Sequence, residues 1–325
     1  MLTIKSASTR GWLASCCAVF ALAVSACSKI EVSPPQHGDL LITNVRLIGF
    51  SGDAPQITDS ATVLIVNGKI ADISANASNW TADETINASG RTLIPGLTDM
   101  HVHVWDETEL NAYLGYGVTT VRNMSGMPFH LELQERIATG ALTAPNLVTT
   151  GPILNSSGAN AQINHQIVED EDGARAAVHS QHAQGFKHLK VYSNLVPEAY
   201  QAIQTEAHNL GMTITGHTPE GRRTSDIPLR KPFEISFEDV LDDGFTTIEH
   251  TESIVWHGLR NSHDEDKARD LARKIKTANI PVTPTLLAHH NLLRTAKGGS
   301  AFLEREGVEL LNPFLAGFEA ENFAY

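Results

Sequence analysis

Short apolar runs rich in β-branched residues alternate along most of this chain with longer segments whose apolar positions recur at helical spacing. "TLIPGLTDMHVHV" precedes "ETELNAYLGYG", "VTTVRNM" precedes "LELQERIATG", "NLVTTGPIL" precedes "EDGARAAVHSQHAQG", and "KHLKVYS" precedes "VPEAYQAIQTEAHNLG". "MTITGHT" and "FTTIEHT" follow, and "DEDKARDLARKIKTAN" leads into "IPVTPTLLA". In the segment that begins at Pro197, the residues Tyr200, Ile203, Ala207 and Leu210 form one apolar stripe; Pro197 opens the helix and Gly211 closes it. Gly117, Gly140, Gly185 and Gly211 stand where helices should stop. Strands that alternate with helices predict an α/β fold with a parallel sheet. Seven such strands between residues 92 and 286 exceed what a small doubly wound unit needs and favour a (β/α)8 TIM barrel.

Upstream the rhythm differs. "DLLITNVRLIGF" and "ATVLIVNGKIADI" are β-rich runs separated by Gly, Asp and Pro, and "NGK" reads as a hairpin turn. Residues 39–92 are therefore expected to form a small antiparallel β unit, and residues 93–325 the barrel. Residues 1–26 carry Lys5 and Arg10 ahead of "GWLASCCAVFALAVSAC", a basic segment followed by an apolar one, as in a secretory signal. The apolar run is shorter than the roughly 20 residues of a spanning helix. It ends in Val24-Ser25-Ala26-Cys27, which resembles a bacterial lipobox, so Cys27 is the expected lipidation site and residues 27–38 a Ser/Pro-rich tether. Ser28 after the cysteine favours the outer membrane by the same resemblance, giving a lipoprotein of the bacterial cell envelope that faces the periplasm. An ordinary signal with a coincidental cysteine is the alternative.

Composition narrows the picture in two ways. The 24 basic and 37 acidic residues give a net charge of −13, which does not suit a nucleic-acid binder. Cys16, Cys17 and Cys27 all lie in the leader, so the rest of the chain has no disulfide to form.

His101 and His103 sit two apart on a predicted strand, so both side chains share one face. An H-x-H pair alone is a weak signal. Three more residues strengthen it: Lys190, His217 and His250 each end a predicted strand, and barrel enzymes place their chemistry at the carboxyl ends of their strands. Tyr192 shares the face of Lys190 and is a candidate substrate contact, or simply fills the barrel mouth. His289 and His290 follow the seventh strand in a loop. His130, His165, His179, His182, His208 and His263 fall in helical or loop segments and read as surface residues. Neutral imidazole is a good zinc ligand, whereas an unmodified ammonium has no lone pair to offer.

"LIPGLTDMHVH", "GVTTVRN", "LKVYS", "ITGHT" and "IEHT", in this order and spacing, resemble the amidohydrolase superfamily, in particular its imidazolonepropionase-like and Xaa-Pro-dipeptidase-like branch. "VNGKIADI" and "GRTLIPGL" resemble the β-sandwich subdomain of that family. The resemblance implies that His101 and His103 hold one zinc ion, that His217 and His250 hold a second, and that Lys190 bridges the two as its carbamate. A metal-bound hydroxide would then attack a carbon–nitrogen bond in a small-molecule substrate, a cyclic amide or dipeptide. If Lys190 stays a free amine that pairs with a carboxylate, a single-metal site of deaminase or imidazolonepropionase type results. The resemblance also implies an eighth strand ending in an aspartate ligand, together with the last strands of the sandwich. Neither is visible in this sequence, and Asn123 stands where an aspartate is usual. The expectation is a truncated barrel with little activity of its own; an inactive metal-binding envelope protein is the third reading.

Overall fold

The computed structural model describes residues 36–310, apart from 51, 53, 159–160, 163 and 223–232. The expected signal segment, Cys27 and most of the tether lie outside the described residues. Among the described residues no helix is long and apolar enough to cross a membrane. The chain divides into two compact units, Met1–Pro95 and Gly96–Tyr325.

In the first unit β1 (Gln36–Gly49), β2 (Gln56–Val66), β3 (Lys69–Ser74) and β4 (Trp80–Asn87) form a sheet in the order β3-β2-β1-β4, and β5 (Thr92–Leu93) also pairs with β1. Asn67 and Gly68 take φ values of 52° and 70°, the geometry of a tight hairpin turn, so β2 and β3 meet as expected. Two expectations are corrected. The sheet is mixed, because β4 and β5 run parallel to β1. It is also a single sheet rather than two facing ones among the described residues. Apolar runs mark strands but do not carry their direction; the connection after β3 brings β4 to the other side of β1, running the same way as β1 and β3. In addition β1 starts at Gln36, inside the stretch expected to be a tether. Its register slips between Ile42 and Val45, where Asn44 takes a φ of 52°. Leu41 thereby joins a cluster with Leu64 and Trp80, while Val45 joins Ala61, Val63 and Ala88.

The second unit alternates strands and helices. β6 (Leu97–Val102), α1 (Glu109–Gly115), β7 (Val118–Asn123), α2 (Pro128–Ala138) and β8 (Asn146–Thr149) come first. Then follow β9 (Ile153–Asn155), β10 (His165–Ile167), α3 (Glu171–Gln184), β11 (His188–Val191), α4 (Pro197–Leu210) and β12 (Thr213–Gly216). α5 (Phe237–Asp242), β13 (Ile248–Glu249), α6 (Glu265–Thr277), β14 (Val282–Thr283) and α7 (Leu286–Gly298) complete it. The strands form two sheets, β6-β7-β8 and β10-β9-β11-β12-β13-β14, and the pairings within both are parallel. A single run in the sequence, residues 146–155, serves both sheets. Its first half pairs with β7 and its second with β11, and the break falls at Thr150-Gly151-Pro152. There Thr150 N–H donates to the Asn123 carbonyl and Gly151 N–H to that of His188. β6 and β14 are outer strands, and no hydrogen-bonded pairing joins them among the described residues.

One face of the strands packs on the helices. Leu154, Leu189, Val191, Ile214 and Ile248 bury themselves against Ala174 and Val178 of α3 and Ala199, Ile203 and Ala207 of α4. Val102 and Val104 do the same with Leu110, Val121, Leu133 and Leu147. Because side chains alternate along a strand, the residues between these apolar ones face the other way. Gly216 shows how closely the strands approach at their carboxyl ends. It takes a φ of 139°, and a Cβ there would lie 2.1 Å from the Val191 carbonyl oxygen.

Candidate functional site

The alternation His101-Val102-His103-Val104 sends both valines to the helices and both imidazoles inward, with ring centroids 5.4 Å apart. Lys190 lies between the buried Leu189 and Val191 and points the same way; it is 1% exposed. Its Nζ stands 3.4 Å from Nε2 of His101. His217 follows Gly216 at the end of β12, and its ring lies 4.4 Å from that of His250, which lies 4.4 Å from that of His101. All five residues nominated from the sequence thus meet at the carboxyl ends of β6, β11, β12 and β13. Four of them, with His101 just behind, line a cavity of about 200 Å3 together with Tyr192, His165, Glu252 and His289.

His250 reaches the cluster by an unusual route. It takes a φ of 69° just after β13, and Thr285, with a φ of 48°, accepts or donates a 2.6 Å hydrogen bond to its Nδ1. Left-handed backbone is costly for a β-branched residue such as Thr285, so the turn is held by its surroundings. Tyr192 stacks between His165 and His217, with centroids 4.6 and 3.9 Å away.

The electrostatics follow from burial among cations. Burial, and then the Lys190 charge, hold His103 at about 3, His165 at about 4 and His250 at about 2. Burial also lowers His101, and lowers His217 well below its ordinary value with help from His250 and Lys190. Burial pulls Lys190 itself down to about 7. At neutral pH the imidazoles are therefore neutral, with lone pairs available as ligands. Among the described residues no three His, Cys, Asp or Glu side chains already stand as a closed metal cage. The donor set nonetheless suits a soft-to-borderline divalent ion: four neutral imidazoles and one lysine converge at the carboxyl ends of neighbouring strands.

Two participants escaped the sequence reading. His165 was expected at the surface, yet it is buried. The short β10 pairs with β9 and carries it in. Its Nδ1 accepts from the Gln162 N–H and the Asn155 amide, so the ring proton sits on Nε2, which is buried without a hydrogen-bond partner. His130 was also expected outside, but it is buried, donating from Nε2 to the Val104 carbonyl and accepting from Met127 N–H, a structural role. His179, His182, His208 and His263 are exposed, as expected. The second missed participant is Glu249, fully buried beside His101. Burial pushes its pKa up, but hydrogen bonds from His101 and Thr247 and the Arg122 charge outweigh that and hold it at about 2. Its position next to His250 in "IEH" was the available signal.

No known protein-family profile matches the chain. Parts of it resemble curated enzymes: L-hydantoinase of Paenarthrobacter aurescens, 40% identical over 75 residues, covers 23% of this chain and 15% of that one. Imidazolonepropionase of Herpetosiphon aurantiacus is 40% identical over 78 residues, 21% of this chain and 18% of that one. The matched segments therefore span less than a fifth of these relatives. In fold the chain is similar to the solved bottromycin amidohydrolase, with a TM-score of 0.60 at 20% identity over 87% of this chain and 60% of that one. These partial similarities to curated enzymes support membership of the amidohydrolase superfamily.

Proposed function

We propose that the protein is a metal-dependent hydrolase of carbon–nitrogen bonds, whose metal ligands are His101, His103, Lys190, His217 and His250. The observation that carries this reading is a fully buried lysine ringed by four neutral imidazoles at one end of a set of parallel strands. An amine buried without a dedicated carboxylate partner is costly as an ammonium. Glu249, the fully buried acid in that region, is already held by Arg122 and His101. Reaction of the neutral Lys190 amine with carbon dioxide, with loss of one proton, would give an anionic carbamate, relieve the cost and supply oxygen ligands for metal. Divalent metal bound there would polarise a carbonyl and acidify a water, which is the chemistry amide hydrolysis needs. His165 would donate its Nε2–H to a substrate oxygen, and Tyr192 would form a wall of the substrate pocket.

The similarity to L-hydantoinase and imidazolonepropionase favours a cyclic amide as substrate. The order β6, β7, β8–β9, β11, β12, β13, β14, each strand parallel to the next, supports the reading of these strands as seven of a (β/α)8 barrel, with the first unit as part of a sandwich subdomain. The single-metal reading remains the second candidate because Lys190 Nζ, as a free amine, reaches His101 Nε2. Zinc analysis of the full chain, with a screen of cyclic amides and dipeptides, tests the proposal. Two equivalents of zinc, both sensitive to Lys190→Ala, support the bridged site; one equivalent that survives Lys190→Ala supports the single-metal enzyme. Residues 1–26 and Cys27 propose a lipid-anchored envelope protein. Loss of labelled fatty acid in Cys27→Ala would support that, and an unlabelled wild-type chain would end it.

A further inference from the structure

We propose that Glu249 is a positioning residue of this site, fixing the tautomer and direction of His101 so that its Nε2 lone pair faces Lys190 Nζ. The inference rests on the metal-centre reading above. The two oxygens of Glu249 are used differently. Oε1 accepts from Arg122 Nη2 at 2.5 Å, from Thr247 Oγ1 at 2.5 Å and from Thr215 Oγ1 at 3.1 Å. Oε2 is given to His101 Nδ1 at 2.7 Å.

A carboxylate cannot donate, so the His101 proton lies on Nδ1 and Nε2 is left with a lone pair. Nε2 lies 3.4 Å from Lys190 Nζ. Arg122 is in turn fixed by three other acceptors: Met100 carbonyl from Nε, Thr247 Oγ1 from Nη1 and Thr283 Oγ1 from Nη2. Side chains of β6, β7 and β12, with Thr247 just before β13, thus converge on one carboxylate, and Thr283 of β14 holds the Arg122 beside it. A buried ion pair is weak evidence of a stability device, since apolar packing serves at least as well. A carboxylate hydrogen-bonded to a ligand imidazole, by contrast, sets its tautomer and raises its basicity, and its loss typically weakens metal binding 10–100-fold.

The test is zinc titration into the metal-stripped full chain, with folding of each variant checked by circular dichroism. Glu249→Gln keeps the shape and removes the charge. It should bind zinc about 10–100-fold more weakly at unchanged stoichiometry. Glu249→Asp keeps the charge but shortens the reach, and should fail to restore affinity. Binding at wild-type affinity in Glu249→Gln would overturn this inference alone. A wild-type chain that binds no zinc would overturn the metal-centre reading, and this inference with it. Should Glu249→Gln not fold, 15N spectra of histidine-labelled wild type decide the matter. The imidazole whose signals vanish in His101→Asn must carry its proton on Nδ1; a proton on Nε2 refutes the proposal.

Discussion

The two ends of the parallel strands differ in chemistry although the same side-chain faces run from one to the other. On β11 the inward positions read His188, Lys190 and then Tyr192; on β12 they read Thr213, Thr215 and then His217. The amino-terminal end encloses a cavity of about 140 Å3 lined by Thr149, Thr150, Thr213, Thr215, Thr246, His188 and Arg122. The carboxyl-terminal end gathers the lysine and histidines around one of about 200 Å3. Hydroxyls satisfy one another cheaply, as in the 2.5 Å contact between Thr215 and Thr247, and need no ion. Four imidazoles crowded round an amine gain nothing from one another. Their arrangement is the one the proposed metal centre would need.

Substitutions at the two ends should therefore behave differently. The largest effect is expected at Lys190. Lys190→Ala should abolish the proposed paired-metal site and lower any C–N hydrolase activity by at least about 10²–10³-fold, comparable to removal of a principal electrostatic stabiliser. Unchanged zinc content and turnover would place the chemistry elsewhere. Next comes Arg122→Met, which strands the buried Glu249 charge. It should cost about 3–5 kcal/mol in denaturant unfolding, and a loss near zero would mean that Glu249 has another route to neutrality.

Acid should unfold the metal-free protein early. Each depressed histidine is neutral in both states above pH 6.5. Below that the unfolded chain takes up a proton that the fold refuses. Stability then falls with pH by about 1.4 kcal/mol per unit for each such group. His103 keeps contributing down to about pH 3, His165 to about 4 and His250 to about 2. Lys190, at about 7 instead of 10.5, acts in the same direction between those values, and Glu249 does so between 4.5 and about 2. Equilibrium unfolding at stepped pH reads the slope, and bound zinc should shift the transition to lower pH. The smallest effect belongs to the threonine end. Thr213→Val removes the 2.7 Å hydrogen bond to His188 and should cost roughly 0.5–1.5 kcal/mol while zinc affinity stays unchanged. A Thr213→Val chain that lost zinc as Glu249→Gln does would erase the contrast between the two ends.

Much of this was legible in the sequence, for identifiable reasons. Period two made His101 and His103 neighbours on one face, and strand-final positions marked Lys190, His217 and His250. Glu249 and His250 show the limit. Consecutive strand residues should face opposite ways, and Ile248 does pack outward on the helices, which turns Glu249 inward. His250 joins it only because its backbone turns left-handed, and no residue pattern announces that. His165 was missed because the three-residue β10 has no periodicity of its own and exists by pairing with β9. The parallel course of β4 beside β1 was equally hidden, since strand direction is set by the path of the connection.

The most direct measurement is the number of zinc ions bound per full-length chain, by elemental analysis, in wild type and in a variant with His101 and His103 both replaced by Asn. A metal centre predicts two equivalents in the wild type, or one if Lys190 stays unmodified, and a clear loss in the double variant. A wild-type chain that binds no zinc at all, while correctly folded, would contradict the account.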